Sequence, residues 1–129
     1  MTHPIQVILT RQLAAYLGVP LFLVDPNGNL LFYNEPAEAI FGRRFDETAP
    51  TSLDDWWSEF PRFEEDGTEV RREDHPLIIT LTDKRPAHKC YSLRGLDGVV
   101  RHLEVTSIPI TGLQGDLLAA VAIFWELHR

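Results

Sequence analysis

The sequence predicts an α+β fold: one five-stranded antiparallel sheet with short helices over one face and an N-terminal amphipathic helix on the other. Three observations carry this. Residues 20–42, PLFLVDPNGNLLFYNEPAEAIFG, read as strand, tight turn, strand and capped helix. Residues 43–84 hold only short helix signals broken by Pro and Gly. Residues 88–125 carry three apolar-patterned strands separated by glycine turns.

The first element is a helix over residues 3–17. Ile5, Ile8, Leu9, Leu13, Tyr16 and Leu17 recur at helical spacing, with Gln6, Arg11 and Gln12 elsewhere. Thr2 is a candidate cap, and Gly18 with Pro20 stops the helix. Such a stripe either packs on its own domain or also pairs with a second copy, and spacing alone leaves both open. Leu21–Val24 is an apolar run too short for a helix and rich in strand formers. Asp25-Pro26-Asn27-Gly28-Asn29 turns the chain, because Pro26 presets φ while Asn27 and Gly28 tolerate positive φ. Leu30–Tyr33 returns as the second strand. Asn34 is a good N-cap, Pro36 fits a first helical turn, and Gly42 stands where a C′ glycine ends a helix.

Residues 43–76 are irregular and acidic. Ser52 can cap a short helix whose first turn carries Asp54 and Asp55, where the helix dipole favours them. Trp56, Trp57 and Phe60 give that helix an aromatic face, and Pro61 ends it. Glu65-Asp66-Gly67 is a turn. His88–Arg94 then alternates as a strand with Tyr91 and Leu93 on one face, and Asp97-Gly98 is a hairpin signal. Val99–Ile108 places Leu103 and Val105 opposite His102, Glu104 and Thr106, and Pro109 is expected to end it. Leu117–Trp125 is apolar at every position. A strand apolar on both faces needs cover on both. The middle helices reach one side only, so the N-terminal helix or a partner subunit is expected on the other.

Length and charge bound the function. The 129 residues make one domain with a single core. A formal net charge of −7 opposes direct nucleic-acid partners and anionic membrane surfaces. No apolar run is long enough to span a membrane, Met1-Thr2-His3-Pro4 does not begin a secretory signal, and one cysteine forms no internal disulfide. A cytoplasmic setting is therefore expected. No calcium-loop pattern is present. His3, His75, His88, His102 and His128 are scattered without paired spacing, so no metal site is expected. There is no nucleophile elbow and no glycine-rich phosphate loop.

The ordered set Asp25, Gly28, Asn34 and Gly42 resembles the opening of a PAS domain: a strand, an Asp-x-x-Gly turn, a second strand ending in Asn, and a small helix closed by Gly. Arg94-Gly95-Leu96-Asp97-Gly98 and Ser107-Ile108-Pro109-Ile110 are also similar to that family. The resemblance covers about residues 18–127, which divides the chain into a flanking helix at 1–18 and a PAS-like domain at 19–129. It reads residues 74–84 as a helix despite the β-branched Ile78, Ile79, Thr80 and Thr82, which lower helix propensity. Asp74 would cap it, Leu77, Ile78 and Leu81 would face inward, and Lys84 stands where the family usually has glycine.

The resemblance implies a sensory or regulatory binding module without catalysis of its own. Trp56, Phe60, Leu77, Ile78, Leu81, Tyr91, Leu103 and Val105 are the candidates to line a pocket for a small apolar or aromatic ligand; plain hydrophobic core is the competing reading. Ile5, Ile8, Leu9, Leu13 and Tyr16 are the candidates for a homodimer interface formed with the sheet's outer face. No cofactor is expected. Haem-binding relatives use a histidine near residues 74–84, but His75 precedes Pro76 and is expected near the surface. Light-sensing relatives carry a flavin-bonding cysteine on a helix, whereas Cys90 falls on a strand, which argues against flavin. The family commonly ends in Asp-Ile-Thr, tied to a downstream effector. Here Glu126-Leu127-His128 stands in that place, so a fragment of a larger regulator and a stand-alone protein both remain open. Two other classes stay in view: a small cavity enzyme using a carboxylate or His88 as base, and a purely structural dimerisation domain.

Overall fold

The computed structural model describes residues 4–48 and 50–127. Helix α1 (Ile5–Tyr16) leads into the hairpin β1 (Leu21–Val24) and β2 (Leu30–Tyr33), then α2 (Glu35–Phe41) and α3 (Leu53–Ser58). A two-residue strand β3 (Arg62–Phe63) follows, then α4 (Pro76–Asp83) and the long strands β4 (Ala87–Arg94), β5 (Val100–Thr111) and β6 (Leu117–Glu126). The strands form one sheet in the order β2-β1-β6-β5-β4-β3, and every pairing is antiparallel. The first and last of the five expected strands are neighbours, as the fold class requires. The proposed Thr2 cap lies outside the described residues.

The sheet has six strands rather than five. β3 is defined by the pairing of Arg62 with Leu93 and Phe63 with Ser92. Two residues carry no periodicity, so no local pattern announces such a strand. β5 also runs through Pro109 to Thr111 instead of stopping there. Its pairing with β4 ends at Ser107, so past that residue only β6 lies beside it. A proline is tolerated where one edge is free.

Alternation along β5 and β6 sorts the side chains onto two faces. Leu103, Val105, Ala120, Ala122 and Phe124 join the core beneath α2, α3 and α4. Ala119 and Val121 face the other way and pack with Leu21, Leu23 and the α1 residues Val7 and Ala14. The leading helix therefore does cover the back of β6. The cover stops short of the end of the strand, where Trp125 is 44% exposed.

The face of α1 that packs is not the one the spacing suggests. Val7 and Ala14 turn inward, and the Arg11 guanidinium lies 4.9 Å over the Phe32 ring. Ile5, Ile8, Leu9, Leu13 and Tyr16 all remain exposed, Tyr16 by 88%. The helix is apolar on two sides; its Val7–Ala14 side lies inward, and a cleft of about 370 Å³ remains between the helix and Leu23, Leu31 and Phe32.

Three caps agree with the sequence and one does not. Asn34 Oδ1 accepts the Ala37 N–H, and Gly42 closes α2 at φ 77°, a left-handed conformation that favours glycine. Ser52 accepts the Asp55 N–H at the start of α3. For α4 the cap is His75 rather than Asp74: its Nδ1 accepts the Leu77 N–H at 3.2 Å.

Candidate functional site

Aromatic side chains fill the space between the helices and the sheet. Trp56 of α3 sits against Phe22, Tyr33, Phe41 and Phe60, with ring centroids 4.5–5.7 Å apart. Trp56, Phe60, Leu77, Ile78, Tyr91, Leu103 and Val105 are all buried in one cluster, and Leu81 packs against its edge. The eight candidate pocket residues are thus brought together. The void left among the central side chains is about 10 Å³, with Trp56, Leu77 and Tyr91 on its wall. That is room for one water at most. Ile78 and Leu81 also face an open cleft of about 240 Å³ between α4, the β1–β2 turn and the start of α3.

Within this apolar region lies a polar group that the sequence did not reveal. His75 is 1% exposed, which corrects the expectation of a surface position. The helix cap draws it inward: its Nδ1 must accept from the Leu77 N–H, so the ring turns under Trp57, centroids 4.1 Å apart. With Nδ1 accepting, the ring proton sits on Nε2, which donates to the Tyr91 hydroxyl at 3.0 Å. Burial, reinforced by Arg62 and Lys89, holds His75 well below the usual imidazole range, so the ring is neutral. Burial raises the Tyr91 hydroxyl above the usual tyrosine range.

Arg62 of β3 closes the outer end of this group. Its guanidinium lies 4.7 Å over the Trp57 ring and donates to the carbonyls of Trp57 and Phe60. Its Nε is buried without a hydrogen-bond partner, and burial lowers its pKa from the ordinary arginine range. Both ring nitrogens of His75 are engaged, so it offers no free ligand atom to a haem iron in this arrangement.

Asn34 is the second buried polar hub, and it joins the two sides of the sheet. Its Oδ1 accepts from Leu21 and Ala37 N–H, while its Nδ2 donates to the carbonyls of Ala14 and Val19. One 2%-exposed amide therefore ties α1, the linker, β1 and α2. Sequence identified the cap but not the other bonds, because Ala14 and Val19 are remote along the chain.

On the outer face, His88 and Cys90 of β4 stand beside Glu104 of β5, all solvent-accessible. Strand pairing brings together groups that looked scattered. Cys90 points away from the helices and from the core cluster that holds Tyr91.

These features define a class: a small mixed sheet-and-helix domain with a packed aromatic core and a helix strapped across its back. A family model for the PAS fold matches residues 16–129, and the chain belongs to the PAS family. No curated protein matches the sequence. The fold is similar to that of the PAS domain of Bordetella pertussis BvgS, at 17% identity and TM-score 0.66, over 96% of this chain and 87% of that one. It is also similar to a Rhodobacter sphaeroides LOV protein, at 14% identity and TM-score 0.72, over 98% of this chain and 70% of that one. A PAS domain from Colwellia psychrerythraea matches at 14% identity and TM-score 0.63, over 93% and 97%. The presence of light-oxygen-voltage domains among the neighbours leaves the expectation against flavin without support from the fold. No helix among the described residues is long and apolar enough to cross a membrane.

Proposed function

We propose that this PAS domain is a sensory module without catalysis of its own, and that it signals by association, with α1 as the surface that a second copy or an effector reads. The observation that carries this is the pairing of an exposed apolar stripe with a locked inner side. Ile5, Ile8, Leu9, Leu13 and Tyr16 face solvent, while Asn34 holds the carbonyl of Ala14 on the opposite side of the same helix. A change in the packing of α2 or β1 reaches α1 through that amide and through the contacts of Val7 and Ala14 with Leu21 and Leu23. Any stimulus acts by binding two such packings unequally.

A homodimer through α1 and the adjoining sheet face is the simplest form of this reading. Small apolar or aromatic ligands are its second arm, supported by the aromatic lining at Trp56, Phe60 and Tyr91. The catalytic alternative has little support. His88 lies on the exposed outer face, and among the described residues no carboxylate is buried in the core. No covalent flavin chemistry is part of the reading, because Cys90 faces away from the core; protein rather than nucleic-acid partners are, given the acidic charge, and so is a cytoplasmic setting, given the single cysteine.

The void of about 10 Å³ favours one other reading, a purely structural dimerisation domain with a filled core. Native mass spectrometry with an absorption scan separates the two: a copurified ligand or chromophore supports sensing by ligand, and a bare dimer supports the structural reading. Light scattering tests the association itself. The double variant L9E/L13E is expected to be monomeric where the wild type is dimeric, with unchanged circular dichroism. A wild type that stays monomeric at high concentration would overturn the association.

A further inference from the structure

We propose that the outer face of β4 and β5 holds a divalent-metal site, with His88 Nε2, Cys90 Sγ and a Glu104 carboxylate oxygen as ligands and Zn²⁺ as the ion it suits. The proposal uses different side chains from the association surface: α1 packs behind β1 and β6, whereas these three ligands stand on β4 and β5 of the same outer face.

Backbone register builds the site. His88 and Cys90 are two residues apart on β4, so they project from the same face, and Glu104 is the cross-strand partner of Cys90 on β5. Opposite them on the sheet, Tyr91, Leu103 and Val105 are buried in the core, which fixes the side from which all three ligands emerge. The ligand atoms lie within 4.8 Å of one another. A tetrahedral ion bound at about 2.0–2.3 Å spaces its ligands by roughly 3.2–3.7 Å. Closing from the first separation to the second falls on side chains that are exposed or half-exposed. His88 Nε2 and Glu104 Oε1 are already 3.0 Å apart, in a hydrogen bond that the ion would replace.

The donor set selects the ion. One imidazole nitrogen, one thiolate and one carboxylate form a mixed N, S, O set, which suits Zn²⁺ and not the all-oxygen preference of Ca²⁺ or Mg²⁺. Three protein ligands leave a fourth position open to solvent, available to water or to a donor from another molecule. On binding, the Cys90 thiol proton leaves to solvent. His88 takes the tautomer with its proton on Nδ1, so that Nε2 can ligate.

The test uses the reduced, chelator-treated protein. Zn²⁺ is titrated against a competing chromophoric chelator, and Co²⁺ is used as the spectroscopic probe. One ion per chain is expected, with a thiolate-to-cobalt charge-transfer band that disappears in C90S. H88A and E104Q are each expected to weaken Zn²⁺ binding by at least about tenfold. All three side chains are exposed or half-exposed, so the variants should keep the wild-type circular dichroism. Absence of the thiolate band would overturn the site. So would C90S and E104Q binding Zn²⁺ as tightly as the wild type, which would leave only adventitious coordination by His88.

Discussion

Two buried polar residues do most to make this packing specific. Asn34 uses both acceptor and both donor positions of its amide on four backbone groups. Asn34→Ala would leave the Ala14 carbonyl and the Leu21 N–H without their partners, and buried unsatisfied groups are costly. A loss of about 2–4 kcal/mol is expected, read from the urea midpoint. His75 makes a prediction in pH. Its folded pKa is depressed, so above about pH 6.5 the ring is neutral in both folded and unfolded chains and imposes no penalty. Below that value the unfolded chain takes up the proton and the folded one does not, so stability falls as pH falls. The slope is at most about 1.4 kcal/mol per pH unit for this group. His75→Asn keeps a helix-capping acceptor and removes the titration. Its stability curve should therefore be flatter than the wild type's between about pH 6.5 and 5. Equal slopes would show that carboxylates alone govern the acid response.

At the scale of elements, α1 and α4 show how far pattern alone reaches. α4 is a helix in spite of three β-branched residues in a row, Ile78, Ile79 and Thr80, because Leu77 and Ile78 are buried against the sheet and His75 caps its start. Tertiary burial outweighs a propensity deficit of a few tenths of a kcal/mol per residue. Its end carries backbone strain: Lys84 adopts φ 56°, the only positive φ at a non-glycine among the described residues. A left-handed conformation costs an L-residue about 1–2 kcal/mol, and glycine's extra unfolded-state entropy offsets part of the gain from replacing it. Lys84→Gly should therefore raise stability by roughly 0.5–1 kcal/mol, measured by thermal or urea unfolding. α1 teaches the complementary lesson. Its apolar residues at helical spacing were legible, but a helix apolar on two sides does not announce which side packs. Val7 and Ala14 won that position, and the larger stripe faces solvent.

For the whole molecule, the sequence by itself determined the class of fold, the order of the long strands along the chain and the core side chains that β4, β5 and β6 send under the helices, but neither the inner face of α1 nor the burial of His75. Those features are local: alternation in β4 and β5, unbroken apolarity in β6, glycine turns, and the Asn34 and Gly42 ends of α2 each act within a few residues. Only the tertiary structure decided the rest, because each remaining feature depends on groups remote along the chain. The strand β3 exists through its pairing with Leu93 and Ser92. The burial of His75 depends on Trp57 and on Tyr91 across the core. The closeness of Glu104 to His88 and Cys90 follows from the register of two strands, which hydrogen bonding and the buried inner face fix together and no run of neighbouring residues specifies.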